Sequence, residues 1–253
     1  MSRVLVTGAA SGLGEALTRA HRARGDEVLA TDIAASAEGV DLGLDITSDD
    51  DWARALATVE DRWGGLDVLV NNAGVAGGGR IDVAGIDEWE WIVGINLLGV
   101  VRGCRTFTPM FKRQRAGRIV NVASLAGLVH PAGMASYNAV KAGVVALTET
   151  LGHELAAYGV RAHVVCPSYF HTNLLASMRG ADTTVAAVVG RLVESSPFTA
   201  DQVAEAVLAG VDAGDEVILP DPAARAAYEQ KLHDRPAYDA QLRRQAARLD
   251  ASG

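Results

Sequence analysis

Short aliphatic runs recur along the chain at residues 4–6, 27–31, 68–70, 118–122, 163–165 and 217–219, with a weaker one at 40–44. Most are rich in Val, Ile and Leu and do not alternate with polar residues. Such runs suit strands covered on both faces, as in a parallel sheet between two helical layers. The stretches between them carry helical patterns. One spans 12–24 and stops at Gly25, a residue that ends helices readily. A second spans 48–63, with Ser48 and Asp49 as candidate N-caps and Gly64-Gly65 beyond it. Longer patterns cover 87–113 and 136–158. This rhythm predicts an α/β fold, a doubly wound parallel sheet of about seven strands with helices on both faces. No internal repeat, low-complexity linker or second core stands out, so residues 1–253 are expected to form one domain. Residues 220–253, rich in Ala, Arg, Asp and Gln, are expected to form a helical surface tail.

Composition narrows what such a fold could do. At 253 residues and 49% hydrophobic content, a single domain can bury a large core. A formal net charge of -8, with no basic block, argues against nucleic acid as a partner. Cys104 and Cys166 lie far apart in apolar segments and lack partners at metal-ligand spacing. They are expected to be small buried hydrophobes, and no metal is expected. The first apolar run is broken by Gly8, too early for a signal peptide or a membrane span. The expectation is a soluble, cytoplasmic protein without membrane contact.

The first strand runs into Thr7-Gly8-Ala9-Ala10-Ser11-Gly12-Leu13-Gly14. Three glycines in a strand-to-helix turn let backbone N–H groups approach a pyrophosphate at a helix N-terminus. Gly8, Ser11, Gly12, Leu13 and Gly14 are therefore candidate cofactor contacts, and the fold is expected to be of the Rossmann type. Asp32 ends the second strand, where an acid can accept hydrogen bonds from adenosine ribose hydroxyls and repel a 2′-phosphate. No Arg or Lys replaces Ala9, Ala10 or Ser11 or directly follows Asp32. NAD is favoured over NADP on this ground. Asp45 and Ile46 end the weak third strand, where an acid could meet the adenine amino group or cap the next helix.

Tyr137 and Lys141 are four residues apart in a helical pattern and so share a face. Ser124 closes the strand at 118–122. Asn96 sits within Gly94-Ile95-Asn96-Leu97-Leu98-Gly99, and Asn71-Asn72-Ala73-Gly74 closes the fourth strand. Taken together and in this order, these motifs resemble the short-chain dehydrogenase/reductase family in its compact single-domain branch. The resemblance runs from about residue 3 to residue 219.

That resemblance implies an oxidoreductase that interconverts a secondary alcohol and a ketone with a nicotinamide cofactor, expected here to be NAD(H). Tyr137 would exchange the proton, helped by Lys141 and by the positive oxidised nicotinamide, which together are expected to lower its pKa from about 10. Lys141 would also hold the nicotinamide ribose, Ser124 would orient the substrate oxygen, and Asn96 would kink its helix and hold a proton-relay water. Asn72, Ala73 and Gly74 would line the adenosine side. Pro167, Ser168 and Thr172 would meet the carboxamide, with Ser168 standing where relatives usually have glycine. Residues 173–197 correspond to a substrate loop, expected to act either as an apolar lid or as helices packed on the body. Leu125, His130, Met134, Tyr169 and Leu174 are candidate substrate contacts, with a plain surface histidine as the other reading of His130. No Arg or Lys stands out as a carboxylate or phosphate holder, so small, uncharged, fairly hydrophobic substrates are expected. The helical patterns at 87–113 and 136–158 match those that pair in relatives, which implies a homodimer or homotetramer. Three rival readings are a non-catalytic cofactor-binding regulator, an NADP-linked ketone reductase, and a sugar-nucleotide epimerase or dehydratase, which would share the Tyr137/Lys141 spacing but usually has a G-x-x-G-x-x-G turn unlike Gly8, Gly12 and Gly14.

Overall fold

The computed structural model describes residues 1–172 and 177–251. Seven strands form one all-parallel sheet: β1 (Arg3–Thr7), β2 (Glu27–Asp32), β3 (Leu42–Gly43), β4 (Val68–Asn71), β5 (Gly117–Val122), β6 (Val160–Val165) and β7 (Val217–Ile218). Their order is β3-β2-β1-β4-β5-β6-β7. The fold is a Rossmann-type single domain. Within each strand, successive residues serve opposite faces. Leu5, Leu29, Leu69, Ile119 and Val164 enter one apolar cluster with Trp52, Phe107, Phe111 and Val144 from the helices α2 (Asp49–Trp63), α4 (Leu98–Gln114) and α6 (Ala135–Leu155). Val4, Val6, Val28, Val70 and Val120 enter another, with Leu17 and Val207 from α1 (Gly12–Ala23) and α8 (Ala200–Ala213). Burial on both faces explains why the strand sequences read as unbroken aliphatic runs.

Some elements depart from the sequence pattern. The third strand shrinks to two residues at the sheet edge, where it has one neighbour. The expected helix at 87–113 is two helices, α3 (Ile86–Asn96) and α4, hinged at Leu97 with φ -113° and ψ -60°. The pattern at 136–158 is α6 followed by a single 3-10 turn over Ala156–Tyr158. The described residues of the tail, 220–251, do not simply coat the surface. They form α9 (Pro222–His233) and α10 (Arg235–Ala251), which bury Ala224 and Tyr238. Two further helices complete the fold: the short α5 (Ala126–Val129), which touches α6 and α9, and α7 (Thr183–Glu194). Among the described residues, no helix is long and apolar enough to cross a membrane.

The chain winds outward from β1 through β2 to β3, then returns to place β4 on the other side of β1. The connections leaving β1 and β4 diverge at that point, and a crevice opens at the strands' carboxyl ends. The site lies there.

Candidate active site

Packing holds the glycine turn in place. Gly8 has φ +68°, and a Cβ there would lie 2.8 Å from the Ala73 Cα, so both conformation and space require glycine. A Cβ on Gly14 would sit 1.9 Å from the Gly8 carbonyl oxygen, so glycine lets the first turn of α1 close onto the loop. Asn72 braces this turn, its Nδ2 donating to the carbonyls of Thr7 (2.9 Å) and Gly8 (3.3 Å). Thr7 Oγ1 accepts from the backbone N–H groups of Asn72 and Ala73, both at 3.0 Å.

A cavity of about 1330 Å³ opens over this turn. Gly8, Ser11, Gly12 and Leu13 line it, and so do Asn72, Ala73 and Gly74. Gly14 does not reach it. Asp32 stands at its edge, with Oδ2 accepting from Ala10 N at 3.0 Å and Oδ1 from Ala34 N at 2.9 Å. Asp45 and Ile46 also line the cavity. Asp45 Oδ1 accepts from the backbone N–H and the hydroxyl of Thr47, both at 2.8 Å.

The same cavity reaches Ser124, Tyr137 and Lys141. Tyr137 and Lys141 project from one face of α6 and both are buried. Burial pushes the Tyr137 hydroxyl up to about 12, against the pull of a hydrogen bond with Ser124. It also pushes the Lys141 ammonium down to about 8. In the protein alone desolvation dominates the Tyr137 titration; the expected lowering by Lys141 and the positive nicotinamide together concerns the site with oxidised cofactor bound. Lys141 Nζ donates to the Val122 carbonyl at 3.0 Å and lies 5.7 Å from the centre of the Tyr137 ring.

Asn96 is buried at the end of α3, outside the cavity lining. Its side chain clamps Val75 from both ends, accepting from Val75 N and donating to Val75 O at 2.9 Å each. Behind the site, Asn71 Nδ2 donates to Asn121 Oδ1 (2.8 Å), and Asn121 Nδ2 donates to Thr148 Oγ1 on α6 (3.0 Å). This buried polar chain ties α6 to two strands. Isolated amides in apolar runs were its only trace in the sequence. Cys104 and Cys166 are buried thiols pushed up to about 12 by burial. No group of three or more His, Cys, Asp or Glu among the described residues is placed to hold a metal.

On the substrate side, Leu125, Met134 and Tyr169 line the cavity, as do Pro167, Ser168 and Thr172. His130 does not. It takes the left-handed cap of α5, at φ 53°, and contacts Gly127 O (3.1 Å) and Lys231 Nζ (3.0 Å), which leaves it exposed on the outer side. Leu174 lies outside the described residues. Ser168 is tied to the tail: its N–H and hydroxyl donate to Asp221 Oδ2 (3.0 Å) and Oδ1 (2.8 Å). Asp221 also caps α9, accepting from Ala224 N at 2.7 Å.

The sequence reading missed the tail as part of the site. Tyr238, Leu242, Gln245, Arg248 and Leu249 line the cavity from α10, and Val185, Val188, Val189 and Leu192 line it from α7. Tyr238 donates to the Val129 carbonyl, and Leu249 packs against Gly133 and Val185. Arg179, Arg191 and Arg248 are cavity-lining residues too. This corrects the expectation that no cation is placed there, because the tail and α7 fold back over an opening that the linear sequence does not show.

The motifs, the strand order and the cavity agree with what comparison reveals. Residues 2–183 match the model of the short chain dehydrogenases. The chain belongs to this family. It is 34% identical to the 2-(R)-hydroxypropyl-CoM dehydrogenase of Xanthobacter autotrophicus, over 84% of this chain and 93% of that protein. It is 32% identical to a 3-oxoacyl-[acyl-carrier-protein] reductase of Synechocystis, over 67% of this chain and 74% of the other. Among solved short-chain dehydrogenases, one from Burkholderia phymatum in complex with NAD superposes with a TM-score of 0.84 at 28% identity, covering 92% of this chain and 93% of that one. Another, from Burkholderia cenocepacia in complex with NADP, gives 0.82 at 27%, covering 95% and 97%. The family match ends at residue 183, where α7 begins. The helices that close the cavity over Tyr137 lie beyond it.

Proposed function

We propose that this short-chain dehydrogenase interconverts a secondary alcohol and a ketone with NAD(H), using Tyr137 as the acid/base. The observation that carries the reading is one unbroken cavity lined at one end by the glycine turn and Asp32 and at the other by Ser124, Tyr137 and Lys141. The glycine turn fits a dinucleotide, since Gly8, Ser11, Gly12 and Leu13 line the cavity at the N-terminus of α1, where backbone N–H groups can meet a pyrophosphate. Gly8, Ser11, Gly12 and Leu13 would hold the pyrophosphate, Asn72, Ala73 and Gly74 the adenosine side, and Pro167, Ser168 and Thr172 the carboxamide. A nicotinamide dinucleotide supplies hydride in one direction and accepts it in the other.

The chain's own groups manage the proton and the geometry. In reduction, Tyr137 donates its hydroxyl proton to the oxygen that the former carbonyl carbon leaves negative. A hydroxyl pushed up to about 12 keeps that proton until it is needed. Ser124 hydrogen-bonds the same oxygen and fixes which face of the carbon is presented. Lys141, pushed down to about 8, can return a proton to Tyr137 near neutral pH. Asn96 acts as a positioning residue, through its clamp on Val75 in the cavity wall.

Asp32 favours NAD. Each carboxylate oxygen accepts one backbone N–H and keeps a lone pair for a ribose hydroxyl, while its charge opposes a 2′-phosphate. The 2-(R)-hydroxypropyl-CoM dehydrogenase and the 3-oxoacyl-[acyl-carrier-protein] reductase that the chain resembles are named for hydroxy and oxo groups, in keeping with a secondary alcohol or ketone substrate. The test is to follow NADH and NADPH oxidation against a panel of ketones, and the reverse with alcohols. Turnover with NADH that exceeds turnover with NADPH supports the reading. No turnover on any panel member while NADH still binds would leave the regulator reading in its place.

A further inference from the structure

The cavity is charged unequally along its length. Its lining carboxylates among the described residues, Asp32 and Asp45, both belong to the glycine-turn end. Around Tyr137 the lining charges are all positive: Lys141, Arg179, Arg191 and Arg248. This inverts the balance of a chain with 31 Asp and Glu against 23 Lys and Arg.

The three arginines are solvent-exposed and lie on segments that pack on the apolar cluster that holds Tyr137. Arg179 lies over the Trp91 ring, 5.0 Å from its centre, and Trp91 packs on that cluster. Arg191 is on α7, whose Val185 and Val189 belong to the cluster. Arg248 precedes Leu249, which packs on the cluster from α10. Three acids of this region are engaged elsewhere: Glu88 Oε1 accepts from Ala181 N at 2.9 Å. Asp182 pairs with Arg80 at 2.9 Å, and Asp250 lies 3.7 Å from the same arginine. No carboxylate among the described residues pairs with Arg179 or Arg191. A guanidinium laid on an aromatic face keeps its N–H edge available for a planar anion.

We propose that the substrate is a ketone or secondary alcohol whose apolar body ends in a carboxylate, which Arg179 and Arg191 recognise. The reacting carbon sits at Tyr137, the body lies against Met134, Val185, Val189 and Leu249, and the acid reaches the arginine rim. The proposal rests on the oxidoreductase reading above. It also explains why the rim lies in the part of the chain that folds over the opening, where substrate choice can be set without altering the hydride site.

The test uses the full chain with NADH and a series of methyl-ketone carboxylates of increasing length, each beside its methyl ester. The expected result is that kcat/KM for the best acid exceeds that of its ester by roughly tenfold or more, as several partly exposed charge pairs add. That preference should shrink with added salt. The double substitution Arg179→Gln with Arg191→Gln should remove most of the preference. Arg225→Gln, an equal charge change on the exposed side of α9, should leave it intact. Equal use of acid and ester across the series, or a preference indifferent to the double substitution, overturns the proposal alone. Turnover of neither, with NADH bound, overturns the oxidoreductase reading and the proposal with it.

Discussion

Tyr137 and Lys141 share the cavity with their titrations displaced in opposite directions by the same cause, loss of water. Tyr137→Phe keeps the packing and removes the proton, so it should retain NADH binding while kcat falls roughly 10²- to 10⁴-fold, as single-turnover kinetics would show. Lys141 carries a consequence for stability. Its folded pKa of about 8 lies below the ordinary 10.5, so between these values the unfolded chain binds more protons. Stability should rise with pH across that window. Below it, the buried charge costs on the order of 3 kcal/mol, since each pKa unit is worth about 1.4. Tyr137 acts in the opposite sense only above about 10, where its own stabilising contribution fades as pH rises through about 12. Urea unfolding of wild type and Lys141→Met between about pH 7 and about pH 10 checks this: wild type should gain on the variant as pH rises. A constant gap would refute the burial argument. At this scale the sequence singled out Tyr137, Lys141 and Ser124, which the fold brings to one cavity. It was a poor guide to Ser168, whose partner Asp221 is 53 residues away.

The elements show where periodicity works and where tertiary contacts override it. The helix ends at Gly25 and Gly64 were readable because glycine supplies the left-handed turn directly, φ +83° and +67°. The break at Leu97 was not readable from periodicity, since no proline marks it; only the family resemblance, in which Asn96 kinks its helix, pointed to it. The Asn96 clamp on Val75 lies beside it, and the loop holding Val75 is far away in sequence. The tail misled for a related reason. The segment Arg235–Ala251 is polar almost all round, which reads as a solvated helix, yet Tyr238 and Leu249 dock it. Asp221 fixes the start of that arrangement. Asp221→Ala removes the α9 cap and both bonds from Ser168, so it should cost roughly 2 kcal/mol or more in chemical unfolding and raise KM for the ketone. Ser168→Ala should cost less, because the cap survives. Equal stability of the Asp221 variant and wild type would show that the tie is not energetically significant.

For the whole molecule, the strand order turned a list of aliphatic runs into a site. The sheet was legible because parallel strands buried on both faces leave an unmistakable record. The closure of the cavity was not, because it depends on where the last two helices return. The family is often oligomeric, and the outward sides of α4 and α6 carry the faces expected to pair. Light scattering on the purified chain should give the mass of a dimer or tetramer, and a single-chain mass would overturn that expectation. The bond between Ser168 and Asp221 joins the loop after β6, proposed to meet the cofactor, to the segment that closes the cavity. Two lengths of polypeptide with separate jobs are thus spliced at one polar joint. A breeder of new reductases could transplant the closing segment between cousins as a cartridge, provided both halves of that joint travel with it. A donor segment lacking the aspartate, or a host with glycine at the other half, would give a correctly folded body with an ill-seated cover.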